Sequence, residues 1–277
     1  MLKTGFWPGC QGNNFLLVQH AANSLPPDNV TNAVVVLPPF AEEMNKCRHL
    51  LTQLMRQLAA AEYDCFLPDH YGTGDSEGDL DSTTVDIWRS DLYQLLQLIA
   101  KQGYSSVSFV AVRFGTLQLF DLLQRHSLPL PLKHLVLWQP MFDVAKFWQQ
   151  FLRIKVAESI TLATPLTQAQ LEQQLQQGHG FDVAGYPVSP AFFLSVMQMQ
   201  YQFPPTLQQQ TVHWCDTSDN GKLSLATQRK IEQLSPYCQL NVCSVPSAPY
   251  WQATELVPAA ELIRQTVTLF ARAPNDD

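Results

Sequence analysis

The sequence predicts an α/β fold, a mostly parallel sheet with helices on both faces. Short apolar, β-branched runs such as Ala33–Leu37 (AVVVL) and Ser106–Val112 (SVSFVAV) read as strands covered on both sides. Between them lie amphipathic stretches of helical length, and this alternation is the signature of parallel strands joined by right-handed crossovers. The chain has 277 residues, 46% of them hydrophobic, which is enough to fill a normal core.

Taken in order, Asn13–His20 is an early strand, followed by a Pro/Asn-rich turn at Ser24–Asn32. Ala33–Leu37 ends at Pro38-Pro39, which cannot continue a ladder. Cys47–Ala61 carries Leu50, Leu51, Leu54, Met55 and Leu58 on one helical face. Tyr63–Leu67 is the next strand and leads into a Gly/Asp-rich loop, Pro68–Asp81. Val85–Lys101 is a helix burying Ile87, Trp88, Leu92, Leu95, Leu96 and Ile99. Ser106–Val112, a helix at Thr116–Gln124 and a strand at His134–Trp138 follow. After an interruption the alternation resumes with strand Gln210–Cys215, helix Gly221–Leu234, strand Cys238–Val245 and helix Pro258–Ala271.

The interruption is Gln-rich and reads as helical, with a turn at Gly178–Gly180, an apolar helix at Pro190–Gln202 and no β-branched strand. Its interspersed Phe, Trp, Leu and Met argue against disorder. The expected organisation is therefore one discontinuous core, 1–140 with 206–277, carrying a helical lid at 141–205 over the carboxyl ends of the sheet.

Composition excludes several classes. A net charge of −7 and a pI near 5.4 leave no basic stripe for nucleic acid. The six cysteines form no C-x-x-C and no zinc spacing, so reduced thiols and no metal or other cofactor are expected. The N-terminal residues lack an apolar signal region, and no apolar run reaches membrane-spanning length. A cytoplasmic location is the expectation.

The informative stretch joins Ser106–Val112 to the helix after it. Strand, tight turn and helix are the setting in which an α/β-hydrolase holds its nucleophile, in the pattern G-x-S-x-G. Here the frame reads Ala111-Val112-Arg113-Phe114-Gly115: the flanking small residues are present, and arginine holds the nucleophile position. A guanidinium cannot be deprotonated to attack a carbonyl. Asp216 and Asp219 stand after a late strand, where such a fold places its acid; capping and turn chemistry is an equally good account of them. The histidine is missing, because the last one is His213, and the loop after Cys238–Val245 offers Tyr250 and Trp251 instead.

A literal G-x-S-x-G does occur at Gly74–Gly78, but no strand leads directly into it and no helix follows at once. A loop is the better reading, with a Ser76–His70 pair the remaining route to an atypical serine enzyme. The segment Pro38–Lys46 sits where these folds carry one oxyanion-hole N–H, making the amides of Phe40 and Phe114 the two donors. A buried arginine requires a partner. Glu42 or Glu43 is proposed, or failing those Asp216 or Asp219; alternatively both glutamates merely begin the Cys47–Ala61 helix, where the dipole favours acids.

The segments PPFAEEMNK, the D-x-x-G-x-G-D-S-x-G-D loop at Asp69–Asp79, V-R-F-G at Val112–Gly115, L-W-Q-P at Leu137–Pro140, V-A-G-Y at Val183–Tyr186 and P-Y-W-Q-x-T-E at Pro249–Glu255 run in one order. Together they resemble the exosortase A system-associated hydrolase 2 family. The resemblance implies an α/β-hydrolase fold and a setting among bacterial exopolysaccharide and PEP-CTERM sorting genes. The leading expectation is a pseudoenzyme whose lidded pocket binds a small anionic or carbonyl-bearing ligand through Arg113 and the two amides. An esterase or thioesterase with an atypical site, and an interaction module docking through the lid, are the alternatives.

Overall fold

The computed structural model describes residues 1–21, 32–161, 165–208, 210–253 and 255–271. The turn expected at 24–32 lies almost wholly outside them. The chain opens with β1 (Leu2–Pro8) and β2 (Asn13–Gln19), an antiparallel hairpin. It continues with β3 (Asn32–Leu37), α1 (Glu42–Ala60), β4 (Asp64–Pro68), α2 (Val85–Lys101), β5 (Ser106–Val112), α3 (Phe114–Arg125) and β6 (Leu132–Trp138). An insert follows: α4 (Val144–Glu158), α5 (Gln168–Gln176), the small hairpin β7 (Phe181–Val183) and β8 (Tyr186–Val188), and α6 (Pro190–Met197). The core closes with β9 (Thr211–Ser218), α7 (Leu225–Leu234), β10 (Gln239–Pro246) and α8 (Ala260–Ala271).

Eight strands form the main sheet in the order β1-β2-β4-β3-β5-β6-β9-β10. Pairings from β4 to β10 are parallel, and the antiparallel ones involve β1 and β2. Side-chain alternation sorts the strands between two cores. Val34, Val36, Val110, Val112 and Trp138 face α1 and α8, while Val35, Leu37, Phe109, Ala111 and Leu137 face α2 and α3. The α/β architecture read from the sequence is the one observed.

Four details differ from the sequence reading. β1 was not expected: it lies on the sheet edge with only Trp7 buried, so it carries no core pattern. The insert is not purely helical, because β7 and β8 pair across Ala184 and Gly185, both at positive φ. Helix α1 begins at Glu42, five residues before Cys47, and Asp216 lies inside β9 rather than beyond it.

The insert is fastened to the core by a third apolar cluster and by charge. Phe40 is the hub of that cluster, its ring 5.0–6.0 Å from those of Trp88, Phe114, Phe147, Phe151 and Phe192. At the far end, fully buried Asp121 accepts from Arg89 Nη1 at 2.6 Å, Arg125 Nε at 3.0 Å and the Gln200 amide at 2.7 Å. Arg125 Nη2 also donates to the Gln198 carbonyl at 3.0 Å, so the end of α6 is tied to α3.

Candidate functional site at the carboxyl edge of the sheet

β5 delivers Val112 into a sharp turn. Arg113 takes φ 54° and ψ −114°, a strained conformation for a residue with a side chain, and α3 begins at the next residue. A methyl group on Gly115 would stand 2.5 Å from the Leu37 carbonyl oxygen, so the close approach of α3 to β3 requires glycine there. The Arg113 amide donates to the Trp138 carbonyl at 2.9 Å, and its carbonyl accepts from Thr116 and Met141. The elbow is thus pinned from both neighbouring strands and presents its side chain at the sheet edge.

That side chain is buried, with 9% exposed, and held on three sides. Nε donates to Glu43 Oε2 at 3.1 Å and Nη2 to Oε1 at 2.8 Å, a bidentate pair. Nη2 also reaches Gln150 Oε1 of α4 at 3.4 Å. Trp251 stacks on the guanidinium, which lies 4.7 Å from the ring centroid, within cation–π range. Of the four acids offered by the sequence, Glu43 is the partner. It also stands in the first turn of α1, so the helix-start account holds at the same time.

The other candidate residues separate clearly. Asp216 is buried in β9 and accepts from Thr227 Oγ1 at 3.2 Å. Burial raises its carboxyl above the usual range, against the lowering effects of Thr227 and of the Arg113 charge. Asp219 is exposed in the following turn, remote in character from a buried acid. Glu42 accepts from Asn45, whose amide also donates to the Tyr186 hydroxyl of the insert. Tyr250 is fully buried between Trp138 and Trp251, where desolvation pushes its phenol well up. The Phe40 and Phe114 side chains belong to the aromatic cluster, while their backbones flank the elbow.

Ser76 and His70 are not paired. Ser76 Oγ accepts from the Phe15 amide at 2.8 Å and donates to the Asp69 carbonyl at 2.8 Å, so it fastens its loop to β2. His70 stacks on Trp88 at 4.8 Å and takes the Gln118 amide at 2.8 Å; burial pushes its imidazolium form down. The same loop is clasped by Asp69, which accepts from Arg48 at 2.6 Å and from the Asp75 amide at 3.0 Å. The Gly/Asp-rich motif is structural in these contacts, and the atypical serine pair loses its geometric support.

A cleft of about 280 Å³ opens beside the arginine, between α1, α4 and the loop after β10. Glu43, Lys46, Gln150 and Gln252 supply its polar wall, and Phe151 and Trp251 its apolar one. Sequence reasoning assigned no site role to Lys46, Gln150 or Gln252: the first and last fall inside the PPFAEEMNK and P-Y-W-Q segments, and the three converge only through folding. In the sequence Trp251 stands as a bulky residue where histidine is expected; its stacking on Arg113 emerges only from the fold. Among the described residues no cluster of three His, Cys, Asp or Glu side chains could hold a metal ion.

A mostly parallel sheet, a strained strand-to-helix elbow and an acid on a late strand define an α/β-hydrolase scaffold. Residues 28–181 match the family described as Serine aminopeptidase, S33 (Hydrolase_4), and the chain belongs to that family. No curated protein matches the chain. Among solved structures it is similar to Est1E from Butyrivibrio proteoclasticus, at 10% identity, with 96% of each chain covered and a TM-score of 0.63. It is similar to a soluble variant of monoglyceride lipase from Saccharomyces cerevisiae at 12% identity, covering 98% of this chain and 94% of that one, with a TM-score of 0.63. XC6422 from Xanthomonas campestris, an α/β serine hydrolase described as lacking a lid, matches at 12% identity, 98% and 96% coverage and a TM-score of 0.56. At these identities the likeness is one of fold.

Proposed function

We propose that this chain is a non-hydrolytic member of the S33 family that binds a small ligand carrying a carboxylate or carbonyl group. The observation that carries the reading is the state of Arg113. The residue on the elbow is a cation gripped by Glu43, and an indole lies over it in the region where a base would be needed. An electron-rich nucleophile and a proton acceptor are what serine hydrolysis requires, and neither group is one. The ligand class follows from the donors. Lys46 and the side-chain amides of Gln150 and Gln252 line the cleft, and Arg113 lies behind Glu43. Acceptor-bearing ligands match such a wall.

On this reading residues 141–205 form a lid over the elbow, and the aromatic cluster around Phe40 fills the space beneath it. The resemblance to the exosortase-associated family supports a cytoplasmic accessory role in exopolysaccharide production or PEP-CTERM protein sorting. No described helix is long and apolar enough to cross a membrane.

The test pairs two measurements. The purified protein should leave p-nitrophenyl esters and acyl thioesters uncleaved and take no label from a fluorophosphonate. A panel of small carboxylates and ketones, read by thermal shift, should give stabilisation that Trp251→Ala abolishes. Fluorophosphonate labelling of any serine, or turnover lost in Ser76→Ala, overturns the proposal. A second reading, docking through the insert, is favoured by Ile160, Leu194 and Tyr201, which are 67%, 50% and 41% exposed. It requires that Leu194→Glu abolish a complex while leaving the fold intact.

A further inference from the structure

A second cavity, of about 290 Å³, lies between β9, β10 and α8 and is lined by both Cys215 and Cys243. These residues are direct register partners on adjacent parallel strands. Neighbouring strands run about 4.8 Å apart, inside the Cα separation that a disulfide spans. Register pairing on parallel strands turns both side chains to the same face, so the two thiols are neighbours at the cavity. Their surroundings are unequal. Cys215 is 1% exposed in the core beneath α8, whereas Cys243 is half-buried and faces the cavity.

We propose that Cys243 and Cys215 form a peroxide-responsive thiol pair, with Cys243 the attacking sulfur and Cys215 the resolving one. The Cys243 thiolate attacks one oxygen of a hydroperoxide; the O–O bond breaks, a sulfenic acid forms, and the other oxygen leaves as hydroxide or alkoxide and takes a proton. The Cys215 sulfur then attacks the Cys243 sulfur. The S–S bond forms, the S–OH bond breaks, and the hydroxide leaves as water with the Cys215 proton. Two electrons pass from the two thiols to the peroxide, and a dithiol reverses the change by exchange.

The asymmetry of the pair supports these roles. The neighbouring Cys215 thiol lowers the Cys243 thiol despite its partial burial, and the same pairing raises Cys215 well above the usual range. The other thiols are not so placed. Burial pushes Cys47, Cys65 and Cys238 up, and exposed Cys10 is pushed to about 11 by desolvation and by Asp91. The disulfide would staple β9, just before Asp216, to the strand that leads to Trp251.

The experiment treats the purified Cys10→Ser protein with hydrogen peroxide, blocks free thiols with N-ethylmaleimide and maps peptides by mass. The expected product is a Cys215–Cys243 disulfide lighter by two hydrogens and restored by dithiothreitol. In Cys215→Ser, Cys243 should hold a single added oxygen that dimedone traps. In the unoxidised native chain, N-ethylmaleimide should modify Cys243 faster than Cys10 at neutral pH, because the lower thiol pKa gives the larger thiolate fraction. Absence of the disulfide in folded protein, or Cys10 reacting as fast as Cys243, overturns the proposal. Should Cys215→Ser fail to fold, disulfide mapping and the native alkylation rates decide it alone.

Discussion

Replacing Glu43 with glutamine tests how the arginine at the elbow is tolerated. The variant keeps the size of the side chain and one acceptor for Arg113, but removes the only carboxylate among the described residues that pairs with a guanidinium 9% exposed. Breaking a fully buried ion pair costs about 3–5 kcal/mol, because a charge is left uncompensated, whereas a surface pair is worth about 0–1 kcal/mol. Glu43 is 26% exposed, and Gln150 and Trp251 remain on the arginine, so the expected loss is intermediate, about 2 kcal/mol. With a urea m-value of about 3 kcal/mol/M, the unfolding midpoint should fall by roughly 0.7 M. Arg113→Met should cost a comparable amount, and the double variant Glu43→Met with Arg113→Met should cost less than the sum, since neither charge is then stranded. A loss below about 0.5 kcal/mol in Glu43→Gln, with additive behaviour in the double variant, would refute the argument that the pair anchors the elbow.

Other consequences are measurable in the same way. Gly115→Ala should destabilise by about 1–3 kcal/mol, because its methyl meets the Leu37 backbone, and a shift under half of that in urea would show that α3 can slide. Phe40→Ala should cost about 3–5 kcal/mol and loosen the insert, read as faster proteolysis within 141–205. For acid behaviour, burial, Lys133 and His213 lower the His134 imidazolium from 6.5 to about 4. A lowered folded value means that the unfolded chain binds the extra proton, so stability present above 6.5 should decline as pH falls from there toward 4. His134→Leu should flatten that slope by one proton, and an unchanged slope would exclude His134 as its source.

How much of this was legible depended on local pattern. α2 and β5 have the ends read from the sequence, because an unbroken 3.6-residue period and a short run that turns continuously apolar from Phe109 to Val112 leave little choice. β1 and the β7–β8 hairpin were invisible, since an exposed edge strand and two three-residue strands bury too little to imprint a period. The start of α1 was misplaced because Glu42 and Glu43 are polar, and only Met44 among the next residues marks a buried face. At the site, the missing nucleophile and histidine could be read directly. The choice of Glu43 among four acids could not, because the partners lie 70 positions apart and only the packing of α1 against β5 brings them together. The Gly/Asp-rich loop shows the opposite limit: a motif that resembles a catalytic one spells out a clasp.

One feature of the sheet edge reaches beyond this chain's own side chains. Ala41, Arg113 and Gln139 all stand at positive φ, at 53°, 54° and 43°, where α1 begins and where β5 and β6 end. Each such residue holds on the order of 1–3 kcal/mol of backbone strain, sustained by the surrounding hydrogen bonds. Three peptide units therefore keep their turns at the carboxyl ends of the strands whichever side chain each residue carries. A serine or cysteine introduced at 113 would inherit the buried apex of the elbow and its backbone orientation with no remodelling of the turn. Geometry and chemistry are separable here, because the backbone of the turn is fixed by its neighbours and the side chain at 113 is not.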